Sequence, residues 1–342
     1  MLRSAAVFLT LATAAHAEPP AVITDIAPIQ SLVARVMQGV GTPDVLLPPG
    51  ASPHDYTLRP SDAARLSSAD LVIWVGHGLT PWLEEPVDTL APDAMHLELL
   101  DTTGWTPLQM RNDPAFAAAE AAHVEAEAGQ DQPQSSIDAG HDQPQSGIEA
   151  GHDHAQSGIY AGQDQPQSGI DPHAWLDPSN AAIFMTLIAQ ALSTADPDNA
   201  ATYSANAAAA GSELALLKAQ ILGRLGPLAG RRYIVPHDAY QYFEAAFALP
   251  AAGAISLTDA AAPGPARIAA LRDMVNSGTI TCILTDPQTS PEWTDLLRDG
   301  SIVATALVDP DGSSQLAALE NPADLYPAII TALATALVDC LD

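Results

Sequence analysis

The chain has 342 residues, enough for two ordinary domains, and its 47% apolar content is that of a globular protein. Its 12 basic residues face 41 acidic ones, which gives a formal net charge of −29 at pH 7. This charge argues against nucleic acid or an anionic membrane surface as a partner and favours cations, although scattered acidic residues do not by themselves identify a metal site.

The first 17 residues have the pattern of a secretory signal peptide. Arg3 is the basic start, residues 5–15 form an apolar run, and Ala15-His16-Ala17 is a small-x-small cleavage site. Because the run is shorter than the roughly 20 residues that a bilayer requires, we expect cleavage before Glu18 and not a membrane anchor. No cysteine follows for lipid attachment, and no later stretch combines sufficient length with freedom from charge. We therefore expect a soluble, untethered periplasmic protein.

Beyond the signal peptide, short apolar runs alternate with helical patterns. Such alternation predicts parallel sheets in an α/β fold. The Ala-rich pattern at 197–225 has no comparable strand beside it, which predicts one continuous helix between two lobes. We place the N-terminal lobe at 18–196, the linking helix at 197–226 and the C-terminal lobe at 227–342. The predicted strands are 21–29, 71–76, 232–236 and 280–286, and the predicted helices are 29–39, 199–225 and 266–276.

One segment, about 112–169, departs from this alternation. It is rich in Ala and Glu and then falls into an 11-residue repeat whose copies begin at Gly129, Gly140, Gly151 and Gly162. Each copy has a single aliphatic residue, too few to offset the entropy of ordering the chain. We therefore predict a disordered insertion in the N-terminal lobe. The insertion contains four histidines: His123, His141, His152 and His154.

Three other histidines lie in segments suited to present a ligand. His54 is in the Pro- and Gly-rich stretch PPGASPHDYTLRP, which is stiff enough to hold an imidazole at small entropic cost. His173 is in DPHAWLDPSN, where Asp171 or Asp177 could accept the second ring N–H. His237 follows a predicted strand, and ligands of open α/β sheets bind beyond the carboxyl ends of strands. Together the three contexts predict a metal site.

Asp286 ends the predicted strand 280–286. It could be a fourth ligand, an acceptor behind a ligand, or a turn-initiating Asp before proline. His77 and His96 are interpreted as structural, because nothing in the sequence orients either ring.

Cys282 and Cys340 predict one disulfide in an oxidising compartment, since two sulfurs are too few for a cysteine-based metal site.

At these residues the sequence resembles the periplasmic metal-binding proteins of ABC importers, specifically the ZnuA-type zinc receptors. The resemblance covers essentially the whole mature chain apart from the insertion. It implies two α/β lobes with parallel-rich sheets flanked by helices, joined by one long rigid helix, with a metal site in the cleft. The implied ligands are His54, His173 and His237. Four segments carry the resemblance, in this order: GASPHDYTLRPSD, DLVIWVG, DPHAWLDP and HDAYQYFE.

The metal implied by the resemblance is zinc. An all-imidazole set suits Zn²⁺, whereas manganese-binding members carry a carboxylate where this chain has His237. Zinc receptors often carry a His-rich loop where this insertion lies, but here the loop is poorer in histidine. Two interpretations of it stay open, an auxiliary zinc collector and an inert solubilising tether. Some zinc receptors have Glu at the position of Pro53, so this chain lacks the acidic residue that they place before the first ligand. The pair Cys282 and Cys340 matches a disulfide of zinc-type members.

We therefore expect a high-affinity periplasmic zinc receptor that acts as a monomer and delivers Zn²⁺ to the membrane permease of an ABC importer. One alternative is a receptor of the same family for manganese or another divalent metal. A second is a zinc-dependent hydrolase, because three histidines and an open position also describe catalytic zinc. The sequence has no His-Glu-x-x-His motif and no obvious general base apart from Asp286, so we expect no enzyme. A surface adhesin is disfavoured by the missing lipid-anchoring cysteine.

Overall fold

The computed structural model describes residues 18–111, 116 and 169–342. The predicted signal peptide and nearly all of the predicted insertion, with its four histidines, lie outside the described residues. The described chain forms two compact units, and each is an α/β body with its own parallel sheet. Of the described residues, the first unit draws on 18–106, 174–220 and 311–331, and the second on 107–111, 116, 169–173, 221–310 and 332–342.

The first unit is built on a four-stranded parallel sheet with the order β2-β1-β3-β4. The predicted strand at 21–29 is shorter than expected, because β1 ends at Thr24 and helix α1 starts at Ala27 with Pro28 in its first turn. All four residues of β3 are buried, as expected for a strand covered on both faces. The elements are β1 Val22–Thr24, α1 Ala27–Val36, β2 Asp44–Val45, α2 Pro60–Leu66, β3 Leu71–Trp74, α3 Glu84–Leu90, β4 Met95–Glu98 and α4 Pro178–Ala195.

The second unit repeats this topology with the order β6-β5-β7-β8, again entirely parallel. Its core joins aliphatic side chains of three strands and two helices, among them Ile234, Ile255, Leu271 and Ile283. The predicted strands at 232–236 and 280–286 are confirmed as β5 and β7. The elements are β5 Tyr233–His237, α6 Gln241–Phe247, β6 Gly253–Ser256, α7 Pro265–Asn276, β7 Cys282–Thr285, α8 Pro291–Arg298 and β8 Ala304–Leu307.

The predicted long helix is present as α5, Ala200–Leu225, whose 26 residues span about 39 Å at 1.5 Å per residue. A one-turn helix, α9 Ser313–Leu316, precedes the C-terminal helix α10, Leu325–Leu341. By length and composition the stretch Pro322–Leu341, with a mean hydropathy of 1.5, could cross a membrane. It nevertheless buries many of its apolar side chains within the protein, including Ile329, Ile330 and Leu337, as the core helix of a globular protein does.

The unit boundaries differ from the expected lobes at two places. The described residues 107–111 and 169–173, expected in the N-terminal lobe, belong to the second unit. These two segments form an antiparallel β-bridge with each other, and both form hydrogen bonds with the hydroxyl of Tyr242 in α6. Residues 311–331, expected in the C-terminal lobe, belong to the first unit, because they bond to α1, as in the Tyr326 N–H to Ser31 Oγ hydrogen bond of 2.9 Å. His173 and His237 therefore lie in the same unit.

The predicted disulfide is present between Cys282 of β7 and Cys340 near the end of α10, 58 residues apart in sequence. We expect the double variant Cys282→Ala/Cys340→Ala to unfold with a free energy about 4 kcal/mol lower than the wild type, because the bridge restricts a loop of this length in the unfolded chain. Urea unfolding of both proteins measures the difference. Dithiothreitol should lower the midpoint of the wild type alone; an equal response of the double variant would contradict the assignment.

Candidate metal centre

The second sheet places two polar side chains at its topological switch point. The strand order reverses between β5 and β7, and ligands of open α/β sheets bind at the carboxyl ends of strands where such a reversal occurs. His237 is the last residue of β5, and Asp286 directly follows β7. Both side chains are buried. The sheet topology therefore brings together two groups that lie 49 positions apart in the chain.

His237 and Asp286 form a buried histidine–carboxylate pair. The Nδ1 of His237 lies 2.8 Å from Oδ2 of Asp286, and the backbone N–H of Thr289 donates to the other carboxylate oxygen at 2.6 Å. Burial alone would raise the pKa of Asp286, but the hydrogen bonds from His237 and Thr289 hold it below its usual value. An ionised Asp286 selects the tautomer with the proton on Nδ1, so the lone pair is on Nε2, the form that a metal binds.

His173 and Asp171 form a second pair of the same kind. Oδ1 of Asp171 accepts from the backbone N–H of His173 at 3.0 Å and lies 2.8 Å from Nδ1 of the ring. The intervening Pro172 restricts the chain, so that the Asp side chain turns back onto the residue two positions on. Of the two acceptors proposed from the sequence, Asp171 is the one used. Asp177 instead caps helix α4 and pairs with Lys218.

The two imidazoles contact one another. Their ring centroids lie 5.8 Å apart and their planes make an angle of 63°. A tetrahedral zinc ion bonded to two imidazole nitrogens at about 2.0–2.1 Å would separate the ring centroids by roughly 5 Å. The observed spacing is therefore close to that of two rings sharing one ion. Each ring has its carboxylate behind it, which is the arrangement that orients metal-binding histidines in proteins.

Burial also determines where protons reside in the Asp171–His173 pair. It raises the pKa of Asp171 to about 7. It lowers the pKa of His173 to about 3, with a further contribution from the neighbouring His237. Between these values the pair holds one titratable proton and is neutral. A metal bound at Nε2 of His173 would make the ring more acidic, and so would favour the ionised Asp171 and the loss of that proton.

His54 lies in the first unit, in a loop with ordered neighbours. The indole N–H of Trp82 donates to the carbonyl oxygen of Pro53 at 2.8 Å, and the Trp82 ring meets that of Tyr56 edge to face at 5.1 Å. The Tyr56 hydroxyl donates to Asp62 of α2 at 2.8 Å. The residues on both sides of His54 are thus fixed to the body of the first unit, as expected for a rigid loop.

The other described histidines have different partners. His77 is exposed and its Nδ1 lies 2.7 Å from Glu84, whereas Nε2 of His96 lies 2.9 Å from the carbonyl oxygen of Ala91. Within residues 18–111, 116 and 169–342, no group of three or more His, Cys, Asp and Glu side chains is arranged to hold a metal ion. The structure thus shows two oriented imidazoles in the second unit and does not show a complete coordination shell.

Three residues that support the site were not identified from the sequence: Arg111, Gln241 and Tyr242. Arg111 bonds to Asp238, which follows His237, and Gln241 and Tyr242 bond to Asp171. Their partners lie 70 or more positions away in the chain. Gln241 and Tyr242 do belong to the motif HDAYQYFE, but nothing in its spacing identifies their partners.

The chain is similar in sequence to known proteins over nearly its whole length. The family model described as zinc-uptake complex component A, periplasmic (ZnuA) matches residues 22–340. The high-affinity zinc uptake system protein ZnuA of Paracoccus denitrificans is 41% identical over 338 residues, covering 98% of this chain and 96% of the relative. The protein of the same name from Brucella abortus is 38% identical over 324 residues, covering 95% and 92%.

Solved structures share the fold. A crystal structure of ZnuA superimposes with a TM-score of 0.69 at 21% identity, covering 95% of this chain and 100% of that chain. The periplasmic zinc-binding protein TroA from Treponema pallidum gives a TM-score of 0.68 at 18% identity, with coverages of 94% and 99%. The predicted fold class of two α/β bodies with parallel sheets and one long helix is therefore confirmed.

Removing the carboxylate of Asp286 tests how much its hydrogen bond with His237 contributes to the stability of the protein. We expect Asp286→Ala to lower the free energy of unfolding by about 1–3 kcal/mol, because the buried Nδ1 hydrogen of His237 loses its acceptor. Asp299→Ala is the matched control. Its carboxylate, 73% exposed, pairs with Arg272 at 3.2 Å, and an exposed pair contributes below about 1 kcal/mol. Urea denaturation of the metal-free proteins measures both changes, and equal losses would argue against the pairing.

Proposed function

This chain belongs to the family of periplasmic ZnuA zinc-uptake components, and from that premise we propose that it is a high-affinity zinc receptor. It captures Zn²⁺ in the periplasm and passes the ion to the membrane permease of an ABC importer. The observation that carries the proposal is the pair of buried imidazoles, each with a carboxylate on Nδ1, at the switch point of the second sheet. Relatives with 38–41% identity over nearly the whole chain are named as zinc uptake proteins.

The proposed ligands are His54, His173 and His237. His173 and His237 have the tautomer control and the ring spacing that one shared ion requires. His54 is presented by a loop fixed to the first unit. Neutral imidazole is a borderline ligand that suits Zn²⁺, whereas manganese sites are richer in carboxylate oxygen. The imidazole pair therefore favours zinc over the manganese alternative within the family.

Asp171 and Asp286 act by orienting the two rings. Each carboxylate accepts from an imidazole Nδ1 and increases the basicity of the nitrogen that faces the metal. In many zinc hydrolases a carboxylate near the ion accepts a proton from the bound water. Here both carboxylates already serve the histidines, so the geometry favours a receptor that holds and releases its cargo.

The insertion keeps its two interpretations. Its four histidines, His123, His141, His152 and His154, would collect zinc weakly and raise its local concentration, or the segment would serve as a solubilising tether. The signal peptide, the monomeric state and the fourth zinc ligand also remain predictions. Export to the periplasm agrees with the family to which the chain belongs.

Alanine variants test the ligand set one residue at a time. We expect His54→Ala, His173→Ala and His237→Ala each to weaken zinc binding by more than about 100-fold, beyond the effect of losing an orienting partner. His96→Ala is the matched control, since its ring bonds to a backbone carbonyl in the first unit. Titration against a chromophoric chelator measures the dissociation constants. Tight binding retained by a histidine variant would remove that residue from the set.

Zinc affinity should depend on pH through the Asp171–His173 pair. The pair holds one proton below about pH 7, because the pKa of Asp171 is raised to about 7 and that of His173 is lowered to about 3. Zinc binding displaces this proton, so affinity should fall by about tenfold per pH unit below pH 7 and level off above it. Calorimetry in two buffers of different ionisation enthalpy counts the released protons. An affinity unchanged between pH 7.5 and 5.5 would contradict the assignment.

A further inference from the structure

The two chain segments that flank the insertion form a short antiparallel stem. We define the stem as residues 108–111 and 169–171. The backbone N–H of Met110 donates to Gly169 at 3.0 Å, and that of Asp171 donates to Leu108 at 2.9 Å. Gln109 and Ile170 form a bridge between these bonds. His173 follows the stem by two residues, so any displacement of the stem is transmitted directly to the Asp171–His173 pair.

Arg111 fixes the stem to the chain that follows His237. Its Nε donates to Asp238 at 3.0 Å, and its Nη1 donates to Glu244 of α6 at 2.7 Å. The guanidinium carbon also lies 3.6 Å from the centroid of the Phe116 ring. Asp238 and Glu244 are both buried. Because the planar guanidinium offers several donors in a fixed geometry, these bonds restrict both the distance and the orientation of Arg111 relative to the two carboxylates.

Helix α6 bonds to the stem at two further points. Nε2 of Gln241 donates to the carbonyl oxygen of Gln109 at 2.9 Å and lies 3.3 Å from Oδ2 of Asp171. The Tyr242 hydroxyl donates to the carbonyl oxygen of Asp171 at 3.0 Å and accepts from the backbone N–H of Leu108 at 2.9 Å. The stem is thus bonded to residues 238–244, which directly follow β5 and its last residue, His237.

We propose that Arg111 is a positioning residue for zinc binding. Through Asp238 and Glu244 it sets the stem, and with it Asp171 and His173, at a fixed place relative to His237. The inference rests on the proposed function, because it names a device that assembles two of the proposed ligands. It also assigns a role to the stem, the described residues on either side of the insertion, which are bonded to the same structure as the ligand pair.

Charge and position predict opposite effects for this residue. A guanidinium near a cation site repels the cation, so loss of its charge alone would strengthen zinc binding. Loss of a positioning contact behind a ligand instead weakens metal binding by about 10–100-fold. The sign of the change therefore separates a positioning role from a simple electrostatic one.

The experiment compares Arg111→Met with Arg111→Lys and with Arg272→Met in the full chain. Arg272→Met is the matched control, because Arg272 makes an exposed ion pair in the same unit. We expect Arg111→Met to weaken zinc binding by about 10-fold or more, Arg111→Lys to recover part of the loss, and Arg272→Met to match the wild type. The ¹⁵N signals of the ring nitrogens should also show a loss of the Nδ1–H tautomer of His173 in Arg111→Met alone.

Glu244→Gln provides a second variant should Arg111→Met fail to fold in thermal melting. It keeps the guanidinium paired with Asp238 and should weaken zinc binding by at least about threefold, a smaller loss than the 10–100-fold of a missing orienting partner. Zinc binding equal to or tighter than wild type in the folded Arg111→Met, or unchanged binding in Glu244→Gln, overturns the positioning role. A wild-type chain that fails to bind zinc overturns the proposed function itself.

Discussion

Two hydrogen bonds, from Nδ1 of His173 to Asp171 and from Nδ1 of His237 to Asp286, are the interactions on which the site depends. Both imidazoles and both carboxylates are buried, where an unpaired polar group costs free energy. Pairing them removes that cost and at the same time favours the tautomer that keeps the lone pair on Nε2. The same contacts thus stabilise the second unit and orient the two rings.

The parallel sheet explains why these groups meet. In both units the strand order reverses between two central strands, and in both a buried carboxylate stands just beyond one of them. In the first unit Asp25 accepts from the backbone N–H of Val75 at 2.9 Å and from that of Ile26 at 2.8 Å, so it ties two strand ends together. Burial raises the pKa of Asp25 to about 6. In the second unit the ends of the corresponding strands, β5 and β7, place His237 and Asp286 within hydrogen-bond distance of each other.

The charge of the chain fits this arrangement only in part. A surplus of 41 acidic over 12 basic residues favours solubility and a general attraction for cations. The few that matter are buried and paired: Asp171 and Asp286 with imidazoles, Asp238 and Glu244 with Arg111. These carboxylates tie the stem, helix α6 and the ends of β5 and β7 into one bonded network.

The sequence by itself determined the α/β class, the long helix at 200–225 and the histidine motifs, because hydrophobic periodicity, proline-rich loops and residue types are local properties. It also supplied the Cys282–Cys340 pair, because only two cysteines were present. The tertiary structure alone decided that Asp171 and not Asp177 orients His173, that Asp286 bonds to His237, and that His173 shares a unit with His237. It also revealed Arg111. Apart from the Asp171–His173 contact, which joins neighbouring residues, each of these depends on which chain segments pack side by side. Contacts between positions 49 to 133 residues apart leave no periodic trace in a single sequence.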